Sequence, residues 1–165
     1  MISRTERVAR AALCRRLLFV AAVAVLSLAW NAVPARAADN LKLNNHLDYQ
    51  SDSADGPLIT GDNMAAGPVA NKANYVIIYS DGCYNSKRQA RRTVELYQKF
   101  RDRVNFVVID LDQHSSPAQT QLVSKFYKGY IPTVVILDAK GVAVYNRAGE
   151  EDENTLAGLL DKALQ

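Results

Sequence analysis

Three short apolar runs constrain this chain more than any other feature. Residues 75–79 (Tyr-Val-Ile-Ile-Tyr), 106–111 (Phe-Val-Val-Ile-Asp-Leu) and 133–137 (Thr-Val-Val-Ile-Leu) are rich in β-branched and aromatic residues. They lack the polar alternation of a strand with one wet face. Such runs suit strands buried on both sides, which need a packed layer above and below them.

The segments between the runs supply those layers. From Asn85 to about Arg103 the pattern is helical: Ala90, Val94, Tyr97 and Arg101 share a stripe, with Leu96 and Phe100 beside it. Lys87, Arg88, Arg91 and Arg92 fall in its first turns and are expected on a solvated face. Ser116 is a good N-cap, Pro117 fits the first helical position, and Gln119 completes a capping box. Leu122, Val123 and Phe126 form that second helix's apolar face, and Gly129 is its expected stop. Residues 138–141 predict a turn and residues 142–145 a strand returning as a hairpin. Leu156, Leu159, Leu160, Ala163 and Leu164 predict a last helix from about Asp152. The order is β-α-β-α-β-β-α. Alternating strands and helices call for a parallel crossover, and the end is antiparallel. The expected fold class is α/β, a mixed central sheet flanked by helices on both faces.

The first 37 residues are not expected to join this fold. Arg4, Arg7, Arg10, Arg15 and Arg16 precede an apolar stretch from Leu17 to Trp30, and Ala35-Arg36-Ala37 is a small-x-small cleavage site. That order reads as a bacterial signal peptide, which predicts a periplasmic or secreted protein with no membrane contact after cleavage. An uncleaved N-terminal anchor is the alternative. The whole chain carries 20 basic and 17 acidic residues; without residues 1–37 it carries 14 and 16. The net charge moves from +3 to −2, so the basic pI gives no support to nucleic-acid binding. Residues 38–72 are polar, and Leu58-Ile59-Thr60 predicts one short strand there. They read as an extension to a domain over 73–165.

Cys14 leaves with the signal, and Cys83 is then unpaired in an oxidising compartment that pairs structural cysteines. An odd cysteine points to an intermolecular partner or a reactive thiol, with an inert buried cysteine as the alternative. Cys83 lies in Asp81-Gly82-Cys83-Tyr84-Asn85-Ser86, between the first strand and the first helix. Unpaired N–H groups at a helix start favour a thiolate. Lys87 and Arg88 would add positive potential if they turned back.

The strand-Cys-x-x-helix unit, Ile131-Pro132-Thr133, Lys140-Gly141 and Ala148-Gly149 together resemble the thioredoxin superfamily from about Tyr75 to Gln165. The resemblance implies a thioredoxin-like fold and a cis Ile131–Pro132 bond. It implies a substrate groove bordered by Gly82, Tyr84, Ile131, Pro132, Thr133 and Gly149. It also marks departures. Ser86 replaces the second cysteine, Ile77 stands where the family's buried acid falls, and Val108 where its lysine falls. A dithiol cycle is thereby excluded.

What remains is a one-thiol cycle with Cys83 as nucleophile and Ser86 as a hydrogen-bond donor to its thiolate. The expected partners are protein or small-molecule thiols and disulfides, with no cofactor and no metal. His46 and His114 have no ligand spacing. The Cys-Tyr-Asn-Ser tetrad differs from the Cys-Gly-Phe-Ser of iron–sulfur-binding monothiol glutaredoxins. A monomer is expected, with a Cys83-linked dimer left open. The alternative function is a redox-inactive binding or chaperone-like module.

Overall fold

A computed structural model describes residues 37–165. Residues 1–36 lie outside the described residues, and with them nearly all of the expected signal peptide.

The elements run β1 (Asp39–Leu43), β2 (Ile59–Asp62), β3 (Ala73–Tyr79), α1 (Tyr84–Phe100), β4 (Val104–Asp110), α2 (Pro117–Phe126), β5 (Thr133–Leu137), β6 (Ala143–Ala148) and α3 (Glu153–Ala163). The main sheet has the order β4-β3-β5-β6. β3 runs parallel to β4 and antiparallel to β5, and β5 to β6, so the sheet is mixed.

Every residue of β3 and β5 is buried, as continuous apolar runs require. The pleat sorts the side chains of β3. Tyr75, Ile77 and Tyr79 join a core with Ala90, Leu96 and Tyr97 of α1 and with Leu156 and Leu160 of α3. Val76 and Ile78 join a second core with Leu122 and Phe126 of α2. Helices therefore cover both faces. The capping box of α2 is present as expected: Gln119 N donates to Ser116 Oγ (3.3 Å), and Ser116 N to Gln119 Oε1 (3.1 Å).

The face of α1 differs from the expected stripe. Ser86, Lys87, Gln89 and Thr93 are buried, Val94 is half-buried and Arg101 is exposed. The buried polar groups explain the rotation. Tyr75 Oη and Thr93 Oγ1 are 3.0 Å apart, and Gln89 Nε2 donates to Tyr75 Oη at 3.5 Å. A tyrosine on β3 thus draws hydroxyl and amide groups of α1 beneath the sheet. Burial pushes the Tyr75 phenol up to about 12.

Residues 37–72 form more than an extension with one strand. The expected strand is β2, and it pairs antiparallel with β1. Leu41, Tyr49, Leu58 and Ile59 belong to the core on the α1 and α3 side. Further polar bonds tie this segment to the sheet and α2. Gln119 Nε2 donates to Met64 O (2.7 Å) and Val108 O (3.2 Å), and Asn105 Nδ2 to Gly67 O (3.2 Å).

Leu58 is fully buried, so Leu58→Ala should lower unfolding free energy by about 2–5 kcal/mol, the range for a core leucine truncation. Urea unfolding of the variant checks this. An unchanged midpoint would mean that the hairpin does not share the core.

Candidate functional site

Cys83 stands where β3 gives way to α1. The chain turns at Asp81-Gly82, and Cys83 N donates to Ser80 O at 3.4 Å. Cys83 is the N-cap of α1, with φ −99 and ψ 122, and its side chain makes no capping bond. The thiol is free and half-buried.

The expected groove residues gather at the same end of the sheet. Ile78 of β3 pairs with Thr133 of β5, so the residues just before Thr133 leave the sheet beside the turn that carries Cys83. The Ile131–Pro132 bond is cis, as the resemblance implied. Thr133 pairs with Ala148 of β6, and Gly149 N donates to Pro132 O at 2.7 Å. Gly149 has φ 95, a backbone conformation that favours glycine at this turn. Thr133 Oγ1 donates to Tyr130 O at 2.7 Å, and Tyr130 itself is 71% exposed. Among the described residues neither the N–H nor the C=O of Ile131 is hydrogen-bonded.

Ser86 is fully buried, and its hydroxyl has no hydrogen-bond partner among the described residues, Cys83 included. Tyr84 is half-buried, and the Arg88 guanidinium lies 4.8 Å over its ring. Ile77 and Val108 are register partners, both buried in one core.

Of the basic residues of α1, Arg88 and Arg91 are exposed as expected, Arg92 is half-buried and Lys87 departs from the solvated face. Among the described residues, no side-chain hydrogen bond or ion pair of the four reaches Cys83. Lys87 is completely buried; its Nζ donates to Asp48 O (2.5 Å) and Ser53 Oγ (2.8 Å). The polar loop that it needs lies far off in sequence, so periodicity could not reveal its burial. Arg88 pairs with Glu150, and Arg92 pairs with the same carboxylate at 3.0 Å. Glu151 N donates to Gln89 Oε1 at 2.9 Å. These bonds tie α1 to the chain that follows Gly149. Arg91 lies 5.1 Å over the Tyr49 ring.

Sequence reading missed the carboxylates around this corner. Tyr84 N, the first amide of α1, donates to Asp52 Oδ1 at 2.6 Å. Asp112 Oδ2 accepts from Ser80 Oγ (2.7 Å) and Asp81 N (2.9 Å), and these bonds hold the Asp112 carboxyl below its ordinary value. Burial, then the neighbouring Asp112, pushes Asp81 up. Asp110 is raised to about 6, first by burial and then by Asp81 and Asp112. Its Oδ2 is buried with no hydrogen-bond partner among the described residues. Tyr79, its register partner, is raised by burial and by the Asp110 charge. The Asp-Leu-Asp at 110–112 was the available signal, but it read as the end of a strand. Among the described residues, no group of three or more His, Cys, Asp or Glu could hold a metal ion. His46 and His114 are exposed.

The mixed sheet, the helices on both faces and the cis proline beside the cysteine turn define a thioredoxin-like fold. No family model and no curated protein matches the chain. Solved structures with similar folds include thioredoxin-2, a component of malaria parasite protein secretion machinery, at 19% identity over 55% of this chain and 82% of that one, with TM-score 0.48. A malarial protein is 20% identical over 57% of this chain and 99% of its own, with TM-score 0.48. An uncharacterized thioredoxin-like protein from Clostridium perfringens is 17% identical over 58% and 73%, with TM-score 0.49. These likenesses concern the fold alone. No described helix is long and apolar enough to cross a membrane.

The raised Asp110 gives a pH dependence with a definite sign. The folded state holds this proton more tightly than the unfolded chain does. Stability contributed by Asp110 is therefore present at low pH and lost as pH rises from about 4, the unfolded carboxyl value, to about 6. Asp110→Asn should flatten that fall and raise stability at neutral pH. Urea midpoints across this window, for both proteins, check it. A steeper fall in the variant would reverse the assignment.

Proposed function

We propose that this chain is an exported thioredoxin-fold protein that uses Cys83 as a single nucleophile in thiol–disulfide exchange. The observation that carries the reading is a free, half-buried Cys83 at the N-cap of α1, beside Ile131-Pro132. A thiolate there attacks one sulfur of a disulfide. A Cys83–sulfur bond forms, the original sulfur–sulfur bond breaks, and the departing thiolate takes a proton from water. Ser86 cannot displace the bound sulfur. A second thiol, from a small molecule or a protein, must attack the mixed disulfide and return Cys83 as thiolate. Reduction or isomerisation of mixed disulfides fits this sequence of steps. In this reading the Ser86 hydroxyl turns to the thiolate once that charge forms, since it has no other partner. Export is supported by the pattern of residues 1–37.

A second reading keeps the groove and drops the chemistry. The exposed Tyr130 and the unbonded Ile131 backbone suit a protein client docked without a covalent bond. Cys83→Ser separates the two, because client binding would survive it only in the second reading.

Incubating the Cys14→Ser chain with glutathione disulfide should give one mixed-disulfide adduct, seen by mass spectrometry and removed by added thiol. Cys83→Ser should lose the adduct. Ser86→Cys should let it decay without added thiol, because position 86 is one helical turn from Cys83. Absence of any adduct on the folded Cys14→Ser chain would sink the exchange reading. Non-reducing electrophoresis of the same samples shows whether Cys83 links two copies.

A further inference from the structure

Residues 48–56 cross the Cys83 corner as a strap. Both ends are anchored. Tyr49 is buried, and its hydroxyl donates to Leu58 O at 2.6 Å. At the far end Asn44 Nδ2 donates to Pro57 O at 3.2 Å, next to the fully buried Leu58. The middle is different. Ser51, Asp52, Ala54 and Asp55 are exposed. Among the described residues, the hydrogen bonds of residues 52–56 to groups outside the strap all go to the site. Asp52 Oδ1 accepts from Tyr84 N (2.6 Å) and Ser53 Oγ from Lys87 Nζ (2.8 Å), and the Gly56 backbone acts on the Asp81 carboxyl, opposing the upward push of its burial. Ala54 lies against Gly82, where an added Cβ would come 3.3 Å from the Ala54 Cβ.

From these contacts we infer that residues 51–55 are a lifting strap over Cys83, with Asp52 as its latch and as the residue that disfavours anionic disulfides. The inference rests on the exchange reading given above. Opening is cheap in hydrogen bonds. The Asp52 carboxylate, the Tyr84 N–H and the Ser53 hydroxyl all rehydrate when the middle lifts. Lys87, the deeply buried group, keeps Asp48 O at the anchored end. Closure has an electrostatic consequence. α1 has no acidic residue in its first turn, so Asp52 supplies the anion that its N-terminus attracts. That carboxylate sits on the amide next to Cys83. A thiolate, or a disulfide bearing carboxylates, meets the same sign of charge there. Lifting the strap removes the repulsion and opens the first-turn N–H groups to the thiol.

The test uses the full chain carrying Cys14→Ser, with Asp52→Asn to remove the charge and Asp52→Ala to remove the latch. Three quantities are read: hydrogen exchange at the Tyr84 amide, and the rates of Cys83 with the anionic 5,5′-dithiobis(2-nitrobenzoate) and with neutral 4,4′-dithiodipyridine. Asp52→Ala should speed Tyr84 exchange and both reactions. Asp52→Asn should favour the anionic over the neutral disulfide by about 3- to 10-fold relative to the parent, the worth of one nearby surface charge. Unchanged exchange in Asp52→Ala together with an unchanged rate ratio in Asp52→Asn overturns the strap. If Asp52→Ala speeds both Tyr84 exchange and alkylation of Cys83 by iodoacetamide, yet no mixed disulfide forms, the strap stands and the exchange reading fails.

Discussion

Strand β3 has no side in contact with water, and that constraint reaches every group at the Cys83 corner. Its odd residues need α1 and α3, and its even residues need α2. Its register with β4 and β5 then decides which chain segments surround its end. Tyr75 adds a directional demand. A phenol buried at that depth needs polar partners, and Thr93 and Gln89 supply them. Those bonds fix the rotation of α1 about its axis. Gln89 also accepts from Glu151 N, so the same side chain positions the segment after Gly149. The place of the thiol is therefore set by a buried tyrosine eight residues before it.

How far the sequence could be read follows from how local each signal is. The β3 and β5 runs, the Ser116-Pro117-Gln119 cap and the leucine spacing of α3 are short-range patterns, and each lies where it was expected. The Ile131-Pro132-Thr133 tripeptide likewise carries the expected cis bond and leads into β5. The hairpin over 37–72 was read only in part. Leu41, Tyr49 and Leu58 are isolated among Asn, Asp, Ser and Gly, so no apolar period marks them. Lys87 was misplaced for a related reason. A lysine beside arginines at a helix start resembles a wet face, and its burial is decided by Asp48 and Ser53, 39 and 34 residues away. Asp52 at the α1 N-terminus is a contact of the same long-range kind.

Lys87 makes the polar loop part of the fold. Taking a lysine out of water is costly unless its hydrogen bonds are replaced. The replacements are a backbone carbonyl and a serine hydroxyl from one loop, so the helix start and the loop order each other. This explains why a segment with few apolar residues lies across the site. It also separates two kinds of attachment. Asp48 O belongs to the anchored end beside the buried Tyr49, whereas Asp52 and Ser53 lie where the chain is more open. The buried cation is held by both parts and keeps Asp48 O when Ser53 leaves, whereas the surface anion Asp52 lies wholly in the part that can be released.

The carboxylates also bear on how one thiol could work without a buried proton relay. Ile77 and Val108 are side by side and apolar, so β3 and β4 bring no acid or lysine to that level of the sheet. Two residues further along the same faces stand Tyr79 and Asp110, and beyond them Asp81 and Asp112. The acids are thus displaced toward the end of the sheet, where the chain meets solvent. A dithiol cycle needs an internal base, because its second thiol is held inside the site and must be deprotonated there. A resolving thiol that arrives from solution can lose its proton to water before it attacks. Such a thiol needs access more than it needs a buried acid. That places the demand on the polar loop over Cys83, the element of this site with the fewest buried groups to lose.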